Sequence, residues 1–292
     1  MKAFTRTDPS LADPDLTAAD LPEALSPAEA AAVPGVLGRI TAERVAAYRN
    51  VEVEERTESA PERQSFASAL RAPGLQIIAE VKRKSPSLGA IADLEPLTAA
   101  KAYESGGAAA LSILTEPNHF GGDLSHLESV AAGVLLPLLR KDFTVHPAQL
   151  LEAKQAGASA VLLIVAVLGE HTAAYLALAQ KLGLDALVEV HGDRELHTAL
   201  ESGAQLIGVN NRDLTTLQID LGTAPRLMTV ARNAGFEGLL VAESGYRSAD
   251  ELGPVLGLAD AVLVGSSVAG SHDLGAAVRA LRHGLDVLEP HA

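Results

Sequence analysis

AVLLIVAVLGEHTAAYLALAQKLGLDALVEVH, Ala160 to His191, is the stretch on which the reading of the fold turns. An apolar run without polar alternation, AVLLIVA, leads into an Ala-rich amphipathic segment, a Gly183-Leu184 break, and a second apolar run, ALVEVH. Unalternating strands separated by helices belong to a parallel sheet whose outer face is covered. Gly just past a helix takes the left-handed conformation that turns the chain back into the sheet. The same unit recurs in both directions from this stretch. IIAEVK (77–82), AALSIL (109–114), VLLPLLRK (134–141), LIGVN (206–210), GLLVAES (238–244) and AVLVG (261–265) bring the strand candidates to eight. Gly106-Gly107-Ala108, Gly157-Ala158, Gly203-Ala204 and Gly257-Leu258 repeat the break. Eight such units in about 210 residues predict an α/β fold, a closed (β/α)8 TIM barrel over residues 76–288. The alternative, a doubly wound open sheet, needs a glycine-rich first turn. No G-x-G-x-x-G follows the first strand, and no G-x-x-x-x-G-K-[ST] occurs.

A short helical N-terminal extension, residues 35–75, precedes the barrel. Val36, Leu37, Ile40, Val45 and Ala46 fall at helical spacing, with a start at Pro34 or Thr41, and a second short helix is expected over Pro61 to Leu70. Residues 1–34 hold five prolines, six acids and two bases without apolar periodicity. They read as a flexible, acidic, Pro/Ala-rich lead, loosely attached.

Composition narrows the classes. The chain has 292 residues, 48% hydrophobic, with no Cys and no Trp, which excludes disulfide scaffolds and thiolate metal sites. The longest apolar run, Ala160 to Leu168, has nine residues, against about 20 for a membrane span. Acids and prolines stand where a signal peptide would need an apolar stretch, so a cytoplasmic location without membrane contact is expected. A net charge of −14 argues against a nucleic-acid partner. The His residues include no pair at helical metal-ligand spacing and H-E-x-x-H is absent, so no metal is expected.

Polar residues concentrate at the C-terminal ends of the apolar strands: Glu80 and Lys82, Ser112 and Thr115, Lys141 and Asp142, Glu189 and His191, Asn210 and Arg212, Glu243 and Ser244, Gly265 and Ser266. In a parallel barrel these ends share one rim, where barrel enzymes place their active sites. Glu80 and Lys82, two residues apart, point to the same face, as a structural ion pair or as functional groups. Lys141 and Asp142 are adjacent and face opposite ways, which weakens a simple salt bridge between them. Glu189, between two valines, is expected to have a raised pKa. Alternation along LIGVN turns Asn210, not Asn211, inward. Ser244-Gly245 and Gly265-Ser266, after the seventh and eighth strands, offer hydroxyls and backbone N–H groups where barrels bind phosphate.

On IIAEVKRKSPS (77–87), LTEPNHFGG (114–122), LLRKDF (138–143), LLIVA (162–166), LVEVH (187–191), IGVNNRDL (207–214), AESG (242–245) and VGSS (264–267), the sequence resembles the indole-3-glycerol phosphate synthase family. It departs at Leu88-Gly89, where many relatives have Lys-Gly, and at Gly122, where many have Gly-Ser. The resemblance implies a carboxy-lyase of tryptophan biosynthesis. It closes an indole ring in 1-(2-carboxyphenylamino)-1-deoxyribulose 5-phosphate with loss of carbon dioxide and water, without a cofactor. It further implies Lys141 as the acid of ring closure and Lys82 and Glu189 as acid and base for dehydration, with the two lysines exchangeable. Glu80 positions Lys82, Asn210 binds substrate hydroxyls or carboxylate, and Glu243 orients Lys82 or a substrate hydroxyl. Arg212 and Ser85 contact substrate, Pro86, Phe120 and Phe143 wall its ring, and Ser244, Gly245, Gly265 and Ser266 hold its phosphate. A monomer is expected, open to weak association with other enzymes of the pathway. The competing readings are a Schiff-base aldolase using Lys82 or Lys141, a phosphoribosyl isomerase, and a non-catalytic barrel.

Overall fold

A computed structural model describes residues 16, 20–51, 63–86, 89–91 and 95–288. Eight parallel strands form a closed barrel: β1 (Gln76–Val81), β2 (Ala110–Leu114), β3 (Leu138–Lys141), β4 (Ala160–Ile164), β5 (Asp185–Val190), β6 (Leu206–Asn210), β7 (Leu239–Glu243) and β8 (Ala261–Val264). Each strand pairs with the next in chain order, and β8 closes on β1 with Gln76 opposite Ala261. The strands are almost wholly buried, as their apolar runs require. Gly107, Gly157, Gly183, Gly203 and Gly257 all have positive φ, so the breaks read in the sequence are left-handed turns leading into strands.

Two strands are shorter than their apolar runs. Val134 caps the helix Leu124–Gly133 and Pro137 precedes β3, so that strand begins at Leu138. Val165 and Ala166 leave β4 for a helical turn, Val165–Leu168. A continuous apolar run cannot by itself separate a buried strand from a buried helix.

The N-terminal extension is built of α1 (Pro27–Ala32), α2 (Gly35–Tyr48) and α3 (Phe66–Leu70). The start of α2 follows Pro34, one of the two expected positions. Pro61 and Glu62, in the expected second helix, lie outside the described residues, as do most of residues 1–19. Residues 20–34 correct the expectation of loose attachment. Ser26 and Glu29 form a capping box on α1, and Ala30 and Leu25 are buried. The Leu25 N–H donates to the Val145 carbonyl, and Tyr175 donates its hydroxyl to the Glu23 carbonyl. These are tertiary bonds, which the low periodicity of the segment does not announce.

Helix α2 lies over the rim formed by the C-terminal ends of the strands. At its start the N–H groups of Val36 and Leu37 donate to the carbonyls of Thr215 and Leu214, in the loop after β6. Further along, Arg44 donates to Asp142 Oδ2 at 2.8 Å, and Tyr48 donates to Glu152 at 2.6 Å. Arg140, buried on the outer face of β3, joins the same network through Asp142, Glu152 and Tyr48. A buried charge needs such partners to be tolerated.

Candidate active site

The strand ends and α2 enclose a cleft with roughly 800 Å³ of open space. Of the residues singled out in the sequence, Glu80, Lys82, Ser85, Pro86, Phe120, Lys141, Phe143, Glu189, Asn210, Arg212, Glu243, Ser244 and Ser266 line it. Gly245 and Gly265 do not line the cleft, but each adjoins a serine that does, Ser244 or Ser266. Gly245 adjoins Ser244 in a turn where both have positive φ. A Cβ on Gly265 would collide with the Glu80 carboxylate, so glycine here makes room for the Glu80–Lys82 pair.

Lys141 is the electrostatic centre. Its Nζ donates to Glu189 Oε2 at 2.7 Å and to Glu243 Oε2 at 2.8 Å. Asp142 faces away, to Arg44 and Arg140, as strand alternation requires. Burial disfavours the ammonium, but Glu189, Glu243 and Glu80 more than offset it and hold the pKa of Lys141 above its ordinary value. Lys141 is therefore charged throughout the physiological range. Glu80 forms the second pair, with Lys82, and accepts a hydrogen bond from Ser112 at 3.2 Å.

The two carboxylates on Lys141 differ. Burial works to raise Glu189, yet Lys141 and His191 together pull it well below the usual carboxylate range. This corrects the expectation from its apolar neighbours, which ignored the cations that reach it across the barrel. Glu243 has the opposite fate. Burial and the neighbouring Glu189 push it up to about 7 against the pull of Lys141. Its Oε1 is buried without a hydrogen-bond partner. Glu243 pairs with Lys141 and not with Lys82, which corrects the role of orienting Lys82. Gly208 on β6 makes the arrangement possible, because a Cβ there would occupy the space of the Glu243 carboxyl.

Asn210 turns inward and its Oδ1 accepts the Arg212 N–H at 2.9 Å, while Asn211 turns outward to the Ser244 carbonyl and the Ala224 N–H. Arg212 is half-buried and donates from Nη1 to the Leu217 carbonyl at 3.1 Å. Leu217 itself has φ 64°, costly for a branched residue, and its side chain reaches the cleft. Phe120 and Phe143 stand 6.0 Å apart, tilted by 39°, as one apolar wall. Val36, Leu37 and Ile40 of α2, with Leu214 and Leu217, supply another. The sequence reading missed these aliphatic walls. Their signal was the apolar stripe of α2, which alone cannot tell a pocket wall from core. It also left His191 without a role, although His191 Nε2 stands 3.2 Å from Glu189 Oε1.

The cleft thus joins two ammonium groups, three buried carboxylates and an apolar slot suited to an aromatic ring. Residues 37–281 match the family model described as indole-3-glycerol phosphate synthase. An indole-3-glycerol phosphate synthase of Deinococcus radiodurans is 58% identical over 262 residues, covering 88% of this chain and 98% of the relative. Another, from Roseiflexus sp. (strain RS-1), is 44% identical over 82% of this chain and 97% of its own length. Among solved structures, a tryptophan synthase chain from M. tuberculosis superposes with a TM-score of 0.55 at 15% identity, over 77% of this chain and 99% of that one. Thiamine phosphate pyrophosphorylase from Pyrococcus furiosus gives 0.54 at 17% identity, over 73% and 96%. These structural likenesses speak for the barrel fold alone.

Proposed function

Because the chain belongs to the indole-3-glycerol phosphate synthase family, the enzymes of tryptophan biosynthesis that close the indole ring with loss of carbon dioxide and water, we propose the following division of labour among its residues. The observation that carries it is Lys141, partly buried, charged and held by two buried carboxylates at the centre of the rim.

The anthranilate ring lies between the Phe120–Phe143 wall and the aliphatic face of α2, with its carboxylate toward Arg212 and its sugar hydroxyls toward Asn210. Ser85 and Pro86 close the side next to Lys82. The phosphate sits at Ser244 and Ser266, with Gly245 and Gly265 keeping the backbone close. Anchoring the phosphate at one end and the ring at the other turns binding energy into orientation of the chain between them.

The ring carbon bearing the carboxylate attacks the substrate ketone, and Lys141 donates a proton to the oxygen as it becomes a hydroxyl. Glu80 and Glu189 stabilise the positive charge that develops on the amine. Carbon dioxide then leaves, and its bonding electrons restore the aromatic ring. Dehydration follows: Lys82 protonates the departing hydroxyl, and a carboxylate removes a proton from the adjacent carbon. The electrostatics favour Glu243 over Glu189 for that last transfer. A general base works best with a pKa near the ambient pH, and Glu189 is fixed as an anion between two cations.

The phosphorylated substrate stays inside the cell, which supports a cytoplasmic location. Among the described residues no helix is long and apolar enough to cross a membrane. The large apolar side chains exposed among them are scattered: Leu135 and Ile219 lie in two loops, Val230 on the helix Thr223–Asn233, and Val287 and Leu288 on the helix Leu274–Leu288. That scatter supports a monomer with at most weak association to neighbouring pathway enzymes.

The test separates this scheme from the Schiff-base alternative. Incubation with the carboxyphenylamino sugar phosphate and borohydride should return protein of unmodified mass alongside indole product. A reduced adduct on Lys82 or Lys141 would overturn the acid roles. The dephosphorylated substrate should lose about 10³-fold in kcat/KM, on the scale of lost orientation.

A further inference from the structure

His191 is a partly buried titratable side chain that the mechanism leaves unused. It follows the last residue of β5 and does not line the cleft. Its backbone N–H donates to Glu195 Oε2 at 2.8 Å, and its Nδ1 lies 3.0 Å from the same oxygen. On the other edge of the ring, Nε2 lies 3.2 Å from Glu189 Oε1. The second oxygen of Glu189 is the one that holds Lys141. A line of charge contacts therefore runs from Glu195, in the first turn of the helix Asp193–Glu201, through His191 and Glu189 to Lys141 and on to Glu243. Glu195 is partly exposed, so the outer end of this line meets solvent.

The arrangement treats the two carboxylates on Lys141 unequally. Neither Oε1 completes a hydrogen bond, but Glu189 has the His191 ring as a second ion-pair partner, 3.2 Å from its Oε1, whereas Glu243 is paired with Lys141 alone, on Oε2. The charged groups facing this part of the rim are Glu189 on β5, Glu195 on the helix Asp193–Glu201, Lys141 on β3, Glu243 on β7 and Glu80 on β1. His191 is the one member whose contacts reach Glu189 and not Glu243.

Resting on the reading of Lys141 and Glu243 given above, we propose that His191 is a positioning residue of the reaction: braced by Glu195, its imidazole fixes Glu189 as the permanent counter-ion of Lys141 and leaves Glu243 as the carboxylate that exchanges protons. The electrostatics agree with this geometry. Burial would lower the pKa of His191, but the hydrogen-bonding and charge of Glu189 and Glu195 push it up to about 10, so the ring is an imidazolium at neutral pH. A cation on the far side of Glu189 keeps the shared proton off that carboxylate and directs it to Glu243.

The experiment is the pH dependence of kcat for His191→Gln and Glu195→Gln against the unmodified chain. Without the imidazolium, both carboxylates hold a proton more tightly. The acidic limb of kcat moves to higher pH by about one unit in His191→Gln, with a roughly fivefold loss at pH 7. It moves the same way, by less, in Glu195→Gln, whose partly exposed site keeps the fold intact. KM changes by less than about twofold in both, since neither side chain lines the cleft. An acidic limb that coincides with the unmodified enzyme in both variants would overturn the proposal, as would a rise in KM with an unmoved limb. Failure of the underlying reading looks different: Lys141→Ala would then keep its turnover, whatever the limb does in the His191 variants.

Discussion

Lys141 shows how a single residue's chemistry follows from its neighbours. A lysine in a dry site tends to lose its proton, and here two carboxylates within 2.8 Å reverse that tendency. Such a group can deliver a proton to a developing alkoxide and then be reprotonated from a nearby acid. Glu243, pushed up to about 7, is suited to that exchange. Replacing Glu243 by Gln should lower kcat by about 10²-fold and abolish the acidic limb of the pH profile, measured by steady-state kinetics from pH 5 to 9. A second prediction concerns stability. His191 is raised from 6.5 to about 10 on folding, so its contribution is complete below pH 6.5 and fades as pH rises through about 10. Thermal unfolding should therefore place His191→Gln furthest below the unmodified chain at pH 6, with the two converging near pH 10. The strand-end lysines and carboxylates were legible in the sequence because charge at the end of an apolar strand is conspicuous. Their pairing was not, because Glu189, Glu243 and Lys141 meet only across the barrel, and local flanks such as the valines around Glu189 pointed the wrong way.

At the scale of elements, α2 is both roof and anchor. Its Val36, Leu37 and Ile40 face the cleft, while Arg44 and Tyr48 tie it to Asp142, just past β3, and to the helix Ala148–Gln155. Because the chain has no Trp, this aliphatic face does the work of holding an aromatic substrate. Arg44→Met removes a buried charge-assisted hydrogen bond, for a loss of about 2 kcal/mol in chemical denaturation. It should also raise KM severalfold by loosening the roof, without moving the pH limb. On β6, Gly208→Ala should displace the Glu243 carboxyl and cost about 10²-fold in kcat, because a misplacement of about 1 Å is enough for that loss. The helical stripe of α2 was readable from its spacing. The docking of the segment around α1 was not, since it rests on bonds of Leu25 to Val145, Glu23 to Tyr175 and Glu29 to His171, groups that only the folded barrel brings near.

For the whole molecule, closure of the barrel makes one site from residues spread between Val36 and Ser266. The eightfold repeat of apolar run and glycine break was sufficient to read that closure, and with it the shared rim. The inner glycines 208 and 265 were not readable as spacers, because what they make room for comes from other strands. The same absence of Trp that shapes the pocket also simplifies the decisive assay, since any indole fluorescence must come from product. The measurement is the rate of indole fluorescence from the carboxyphenylamino sugar phosphate, for the unmodified chain and for Lys141→Ala, with unfolding curves for both. The account predicts rapid product formation by the first, a loss of about 10³-fold in kcat for the second, and cooperative unfolding in each. Turnover by a folded Lys141→Ala within tenfold of the unmodified enzyme would contradict it.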